Sequence, residues 1–310
     1  MLCNSKYLVL SVCICIISFA GEPISPIPKT VEYNKQKALL GKKLFYDTLL
    51  SQDNTVSCAV CHNLSNGGAD SRKVSLGADR RLGNIQAPTV YNSRYNFTQF
   101  WNGRAADLKE QAKGPLENPN EHAMNPQLIE KRLDASKSYR KLFRKVYHTK
   151  KIRFNEVIDA IAEFEKALIT PNAKFDRYLR GEVALTPTEK EGYILFKQYG
   201  CITCHNGINI GGNSFQKMGT FFSYDANTTY PDRAVLLKNK KYHNVFKVPT
   251  LRNIALTAPY FHDGSAKTLL AAVEKMSYHN LGINISSDDA RNIIAFLKTL
   301  TGDKPKIVGQ

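Results

Sequence analysis

The 310-residue chain is poor in sulfur and nearly free of tryptophan, with seven cysteines, four methionines and a single tryptophan, Trp101. Cys3, Cys13 and Cys15 fall within the first twenty residues, which leaves Cys58, Cys61, Cys201 and Cys204 for the rest. Those four sit in two copies of one short pattern, so no thiol remains for a structural disulfide. Acidic residues are also few, 27 against 43 lysines and arginines, for a formal charge of +16. The basic residues are dispersed and form no stripe, which argues against nucleic acid as a partner; the charge suits an acidic protein partner or simple solubility. Alternation at the strand period is scarce, which disfavours a β-protein. Long apolar runs are missing too. The one candidate, Leu8 to Ala20, is short for a membrane span. With Lys6 ahead of it and Ser18-Phe19-Ala20 at its end it has the layout of a secretory signal, residues 1–20, an uncleaved anchor being the alternative.

What the chain does have is Cys58-Ala59-Val60-Cys61-His62 and Cys201-Ile202-Thr203-Cys204-His205. Cys-x-x-Cys-His is the attachment site of a covalent c-type haem. Two thiols three positions apart can add to the two vinyl groups on one porphyrin edge, and the adjacent histidine can bind iron from the proximal side. Paired Cys-x-x-Cys knuckles can instead share a zinc ion, but then they lie within about 15–20 residues of each other. Here the second pair begins 143 residues after the first, and both end in His-Asn. The reading is two haems c. Thioether attachment needs export and thiols kept reduced until ligation, which points to a bacterial periplasm.

The motifs sit in a degenerate internal repeat. Gly41-Lys-Lys-Leu44-Phe45 precedes the first and Gly192-Tyr-Ile-Leu195-Phe196 the second, and Gly67-Gly68 and Gly211-Gly212 follow them. The expectation is a mainly α fold of two tandem cytochrome c-type domains, residues 21–175 and 176–310, each wrapped around one haem. Phe154, Val157, Ile158, Ile161, Phe164 and Leu168 follow the 3.6-residue period and stop at Thr170-Pro171. Thr186-Pro187-Thr188-Glu189 is a capping box with proline in the first turn, opening the helix before Cys201. Ser286 or Ser287 caps a last helix through Ile293, Ile294, Leu297 and Leu300, ended by Gly302. Long loops, 63–103 and 206–264, are unusual unless they wrap something.

The sixth position of each iron decides function. Met276 lies 71 residues after His205, just before the closing helix, where a thioether would fill the coordination sphere, raise the potential and leave an electron-transfer centre. Core packing is the alternative role of that methionine.

The chain is similar to the bacterial dihaem cytochrome c peroxidases over roughly residues 35–303. The resemblance rests on the first haem motif with Asn63-Leu64-Ser65 and Gly67-Gly68, on Ala87-Pro88-Thr89-Val90-Tyr91-Asn92, on Gln99-Phe100-Trp101-Asn102-Gly103-Arg104, and on Gln111-Ala112-x-Gly114-Pro115-Leu116-x-Asn118-Pro119-x-Glu121. It continues through the second haem motif, Leu251-Arg252-Asn253, Ala258-Pro259-Tyr260-Phe261-His262-Asp263-Gly264 and Met276. It implies a periplasmic enzyme that reduces H2O2 to water with electrons from a small cytochrome c-type donor, often as a homodimer. Electrons would enter at the His205/Met276 haem and pass Trp101 to a peroxidatic haem on His62, whose distal face Glu121 and Gln111 would line. A carboxylate there can take a proton from one peroxide oxygen and deliver it to the other, and an amide can orient the substrate. The resemblance also implies a Ca2+ between the domains, with Thr257 and Pro259 as backbone ligands and Gln86 where the family usually has asparagine.

One position departs from the pattern. Many family members carry a histidine matching Ala78, which ligates the resting peroxidatic iron until the other haem is reduced. Alanine cannot ligate, so the first haem is expected to be open even when fully oxidised. His122, next to Glu121, is the one nearby substitute. His262 resembles a family residue packed by the second haem, and His148, His243 and His279 read as surface or structural. Two other functions stay open at this point: a plain dihaem electron carrier, which would need both irons six-coordinate, and a protein-oxidising enzyme of the methylamine dehydrogenase-modifying type, which has tyrosine where this chain has Met276.

Overall fold

The computed structural model describes residues 21–226 and 229–310; the expected signal, 1–20, lies outside the described residues. The elements are helices α1 (Lys35–Tyr46), α2 (Cys58–Cys61), α3 (Leu108–Glu117), α4 (Pro126–Ala135), α5 (Lys137–Tyr147), α6 (Phe154–Lys166), α7 (Lys174–Leu179), α8 (Pro187–Gln198), α9 (Arg233–Leu237), α10 (Leu269–Met276) and α11 (Ser287–Lys298), joined by long loops and 3-10 turns. The strands Phe215–Lys217 (β1) and Val245–Lys247 (β2) pair antiparallel, with Phe215 opposite Lys247. The fold is mainly helical, as the sequence predicts.

Two helix pairs carry it, α1 against α6 and α8 against α11, and the Gly-x-x-Leu-Phe repeat is what lets each pair close. A Cβ on Gly41 would lie 1.8 Å from the Ala160 carbonyl oxygen of α6, and one on Gly192 would lie 1.9 Å from that of Asn292 on α11. Only glycine admits a backbone that close. The phenylalanine of each repeat then meets a ring on its partner helix, Phe45 with Phe164 and Phe196 with Phe296, both at 5.2 Å between centroids. All four rings are buried, and each such side chain stabilises the fold by about 1.5–3 kcal/mol through area removed from water.

The expected caps are in place. Thr186 accepts from the Glu189 N–H and Glu189 reaches back to the Thr186 N–H; Ser286 caps α11. Helix α6 buries Phe154, Val157, Ile158, Ile161 and Phe164, but it stops at Lys166, four residues before the predicted end. The reason is that Leu168 and Thr170 have other work. Leu168 O accepts the Asn92 N–H, and Thr170 Oγ1 accepts from both Asn92 Nδ2 (2.7 Å) and Asn253 Nδ2 (2.9 Å).

Those two asparagines belong to a second repeat, inside the loops. Gln86-Ala-Pro-Thr-Val-Tyr-Asn92 matches Lys247-Val-Pro-Thr-Leu-Arg-Asn253, and Gln99–Ala105 matches Tyr260–Ala266. Asn92 and Asn253 share the left-handed conformation, as do Phe100 and Phe261, and Gln99–Ala105 and Tyr260–Ala266 each close one isolated β-bridge. The loops of the two halves are therefore built alike and meet around Thr170.

The chain ends cross over. Ile24 packs with Tyr193 and Phe296 of the C-terminal half and with Phe175 at the boundary, whereas Ile307 packs with Phe45, Phe164 and Leu168 of the N-terminal half. Lys42 donates to the carbonyls of Val308 and Gln310, each at 2.8 Å. Arg252, fully buried, pairs with Asp176 at 2.5 Å and donates to Ser25 O and Ile208 O, tying the N-terminal arm to both the interdomain segment and the loop after the second haem motif. An arginine buried this deeply is tolerated because its donors meet a carboxylate and two carbonyls.

Candidate active site

Each Cys-x-x-Cys-His motif forms a single turn. The Cys58 carbonyl accepts the His62 N–H at 2.9 Å, and the Cys201 carbonyl accepts the His205 N–H at 3.0 Å. The turn sets the two thiols three residues apart and turns the following imidazole inward. His62 Nδ1 lies 3.3 Å from Gly68 O, and His205 Nδ1 lies 3.4 Å from Ile210 O. A carbonyl only accepts, so each Nδ1 carries the proton and each Nε2 keeps its lone pair. Burial holds both rings neutral, lowering the His205 pKa to about 4 and that of His62 below its ordinary value. Burial likewise raises the thiols of Cys58, Cys61 and Cys201, so they rest as thiols rather than thiolates.

Both imidazoles open onto one continuous cavity whose wall also includes Cys61, Cys201, Trp101, Gln111, Glu121 and Met276. The lining is largely apolar. Of Met124, Met218 and Met276, the last alone reaches it, placed there by α10, whose Leu269, Ala272, Val273 and Met276 fall on one helix face toward the cavity. Met124 is buried among the side chains of α1, α4 and α6 instead. Half-buried thiols, imidazole nitrogens with a lone pair to give, a thioether and an apolar lining fit haem as the occupant.

Glu121 and Gln111 are brought together at this wall. Gln111 stands on α3, and Asn118, the C-cap of α3, donates from Nδ2 to Glu121 Oε1 at 2.6 Å. Burial raises the Glu121 carboxyl above its ordinary value; the Asn118 hydrogen bond and the Arg104 charge counter it only in part. Ala78 is fully buried and absent from the cavity wall. Its N–H donates to Glu121 O at 2.7 Å, and a Cβ on the preceding Gly77 would lie 2.1 Å from Asn120 O, so the loop bearing Ala78 is clipped to the loop bearing Glu121. His122 is engaged at both nitrogens: Nδ1 is 3.0 Å from Leu50 O and Nε2 is 3.9 Å from Cys58 Sγ. It lines a small pocket behind Cys58 and is not part of the main cavity wall.

Trp101 Nε1 donates to Gln86 O at 3.0 Å, and its ring meets the His262 ring edge-on at 6.0 Å between centroids. His262 stacks on Phe246 at 4.1 Å and buries an Nε2 without a partner among the described residues. His148 and His243 are exposed, His243 beside Asp232 at 2.9 Å, and His279 Nδ1 donates to Phe222 O. The three residues implied for calcium, Gln86, Thr257 and Pro259, all line the cavity; the Gln86 amide nitrogen donates to Asp70 O at 3.2 Å, which leaves its oxygen as the available donor. The wall holds three further charged residues: Arg104, which sequence reasoning read only as part of a family motif, and Glu165 and Lys247, which it missed. Arg104 lies 3.4 Å over the Phe100 ring and donates to Tyr230 Oη at 2.5 Å. Glu165 is buried without a side-chain hydrogen bond among the described residues, and desolvation alone pushes its carboxyl up to about 8. Its signal was present, since it lies four residues after Ile161 on the apolar stripe of α6.

Residues 35–184 match the profile of the di-haem cytochrome c peroxidase family. A cytochrome c551 peroxidase of Nitrosomonas europaea is 49% identical over 287 residues, covering 92% of this chain and 86% of that protein. The chain belongs to the di-haem cytochrome c peroxidase family. A second member, the cytochrome c551 peroxidase of Pseudomonas aeruginosa, is 40% identical over 298 residues, covering 94% of this chain and 84% of that protein. Among solved structures, a MauG-like protein associated with microbial copper homeostasis superimposes with a TM-score of 0.80 at 28% identity, covering 90% of this chain and 93% of that one. Family membership implies haem cofactors, and no helix among the described residues is long and apolar enough to cross a membrane.

Proposed function

We propose that the protein is a cytochrome c peroxidase that reduces H2O2 to two waters, taking two electrons from a small cytochrome c-type donor and two protons from solvent. The observation that carries the reading is an asymmetry of the cavity wall. Met276 is the one methionine of the wall among the described residues and is read as the second ligand opposite His205, whereas Gln111 and Glu121 share a smaller pocket with His62 and supply an acid–amide pair there. When bound, the haems supply the redox chemistry; the two Cys pairs would hold them covalently, with His62 on one iron and His205 and Met276 on the other.

The residues do the rest. Gln111 orients peroxide, and Glu121 takes a proton from one peroxide oxygen and returns it to the other, so the O–O bond breaks heterolytically and one oxygen leaves as water. The raised Glu121 pKa suits this double role, because a carboxyl closer to neutrality both accepts and donates readily. Trp101, fixed by its bond to Gln86 O at the junction of the two halves, is the electron bridge. The buried, clipped Ala78 supports a peroxidatic face that is open without prior reduction. Met276 supports peroxidase over the protein-oxidising relatives, and the acid–amide pair supports it over a plain electron carrier.

The same reading takes the enzyme to be exported to the periplasm and to work as a homodimer, with Ca2+ held by Gln86 Oε1 and the carbonyls of Thr257 and Pro259. Neutral oxygen donors at one wall suit that ion. The test is turnover: reduced cytochrome c is oxidised rapidly only when H2O2 is added. Equal rates with and without peroxide would overturn the reading.

A further inference from the structure

Lys247 is a buried cation facing the cavity, and no ion pair reaches it among the described residues. It closes β2, is 8% exposed, and lines the wall together with Trp101 and Met276. Its backbone N–H donates to Trp101 O at 2.7 Å, but among the described residues no hydrogen bond or ion pair reaches its side chain. Desolvation brings its pKa down to about 8, which leaves the ammonium mostly charged at neutral pH. A desolvated charge without a counter-charge is costly, and buried cations are normally paired. The partner must therefore come from what fills the cavity.

The internal repeat says which end of the cavity that is. Lys247 corresponds to Gln86: the Gln86 N–H donates to His262 O at 2.9 Å as the Lys247 N–H donates to Trp101 O. Two residues on, the Pro88 carbonyl lies beside His62 and the Pro249 carbonyl beside His205. The segment bearing Lys247 thus walls the C-terminal haem as the segment bearing Gln86 walls the N-terminal one. The two positions differ in one respect. The Gln86 amide finds a protein partner in Asp70 O, and the Lys247 ammonium finds none among the described residues.

We propose that Lys247 binds a haem carboxylate, forming an ion pair with a propionate of the haem held by His205, on the side facing Trp101. The inference rests on the reading that the cavity holds two haems. A fixed positive charge beside that propionate favours the reduced form, so Lys247 is a positioning residue that raises the potential of the centre through which electrons enter.

The test is an anaerobic spectroelectrochemical titration of both haems in the holoenzyme, for wild type, Lys247→Met, Lys247→Gln and Lys247→Arg. The two neutral variants keep most of the stem and lose the charge, while arginine keeps the charge. The expected result is a lower midpoint for the Met276-ligated centre in Lys247→Met and Lys247→Gln, an unmoved N-terminal centre, and a midpoint near wild type in Lys247→Arg. Unmoved potentials in both neutral variants, or a shift confined to the N-terminal centre, would overturn the proposal. Haem content separates it from the reading it rests on: fewer than two haems per wild-type chain sinks both, and two haems with unmoved potentials sink this proposal alone.

Discussion

Replacing Glu121 by glutamine isolates its proton chemistry from its structural part. The Asn118 Nδ2 donor would still find an Oε1 acceptor, and the contact to Ala78 uses the Glu121 backbone carbonyl, which the substitution leaves alone. Glu121→Gln should therefore fold and hold haem as wild type does, within about 1 kcal/mol of stability, the scale of one hydrogen bond. What it loses is a group able to accept a proton and give it back. General acid–base assistance of this kind is worth about 10²–10⁴-fold, so kcat/KM for H2O2 should fall by that factor in steady-state oxidation of reduced cytochrome c. The pH profile adds a second readout. Proton acceptance needs the ionised carboxylate, and burial raises its pKa above 4.5, so wild-type kcat/KM should decline as pH falls through that raised value. The variant should lose this acid limb. A loss of less than about tenfold, or an unchanged limb, would refute the assignment of Glu121 as the proton shuttle.

Other substitutions test the rest of the account. Met276→Ala should abolish the thioether-to-iron charge-transfer band of one haem and lower its potential, read in the same redox titration; an unchanged band would return Met276 to core packing. Glu165 has a folded pKa raised to about 8 against 4.5 for an exposed carboxyl, so the stability it gives is complete below about 4.5 and is lost as pH rises toward 8. The loss amounts to roughly 4–5 kcal/mol at most by the linkage relation, and Glu165→Gln should flatten that part of the stability profile in denaturant titrations. Gly192→Ala would force a methyl to within 1.9 Å of the Asn292 carbonyl oxygen and should cost at least about 3 kcal/mol, read as a lower denaturation midpoint, because the obstacle is backbone.

The helical half of the fold was legible because its signals are local. The capping box at Thr186, the serine cap of α11 and the stripe on α6 need only a few neighbouring residues to be read. The Gly-x-x-Leu-Phe repeat was visible as a pattern, but its meaning, a backbone-to-backbone helix crossing, depends on Ala160 and Asn292, which lie 119 and 100 residues further along the chain than Gly41 and Gly192. The second repeat was harder to find. It lies in loops with no period, and its matching residues, Gln86 with Lys247 and Trp101 with His262, differ in chemistry while exchanging equivalent backbone hydrogen bonds, Gln86 N–H to His262 O and Lys247 N–H to Trp101 O. At the site, the cysteines, histidines and Met276 announced themselves by spacing, whereas Glu165 and Lys247 did not. Charged residues are ordinarily solvated; the place of Glu165 on the apolar stripe of α6 was a weak signal of burial, whereas only the tertiary fold turns Lys247 inward. Glu121 and Gln111 were legible through family resemblance alone, since neither spacing nor periodicity distinguishes them from surface residues.

The central claim is that one iron is saturated by the protein while the other presents a free face. EPR of the fully oxidised protein, followed by stopped-flow mixing of the same all-ferric sample with H2O2, tests it most directly. The account predicts one low-spin and one high-spin ferric haem, and a rapid reaction with peroxide without any prior reduction. Two low-spin haems that ignore peroxide until an electron is added would contradict it.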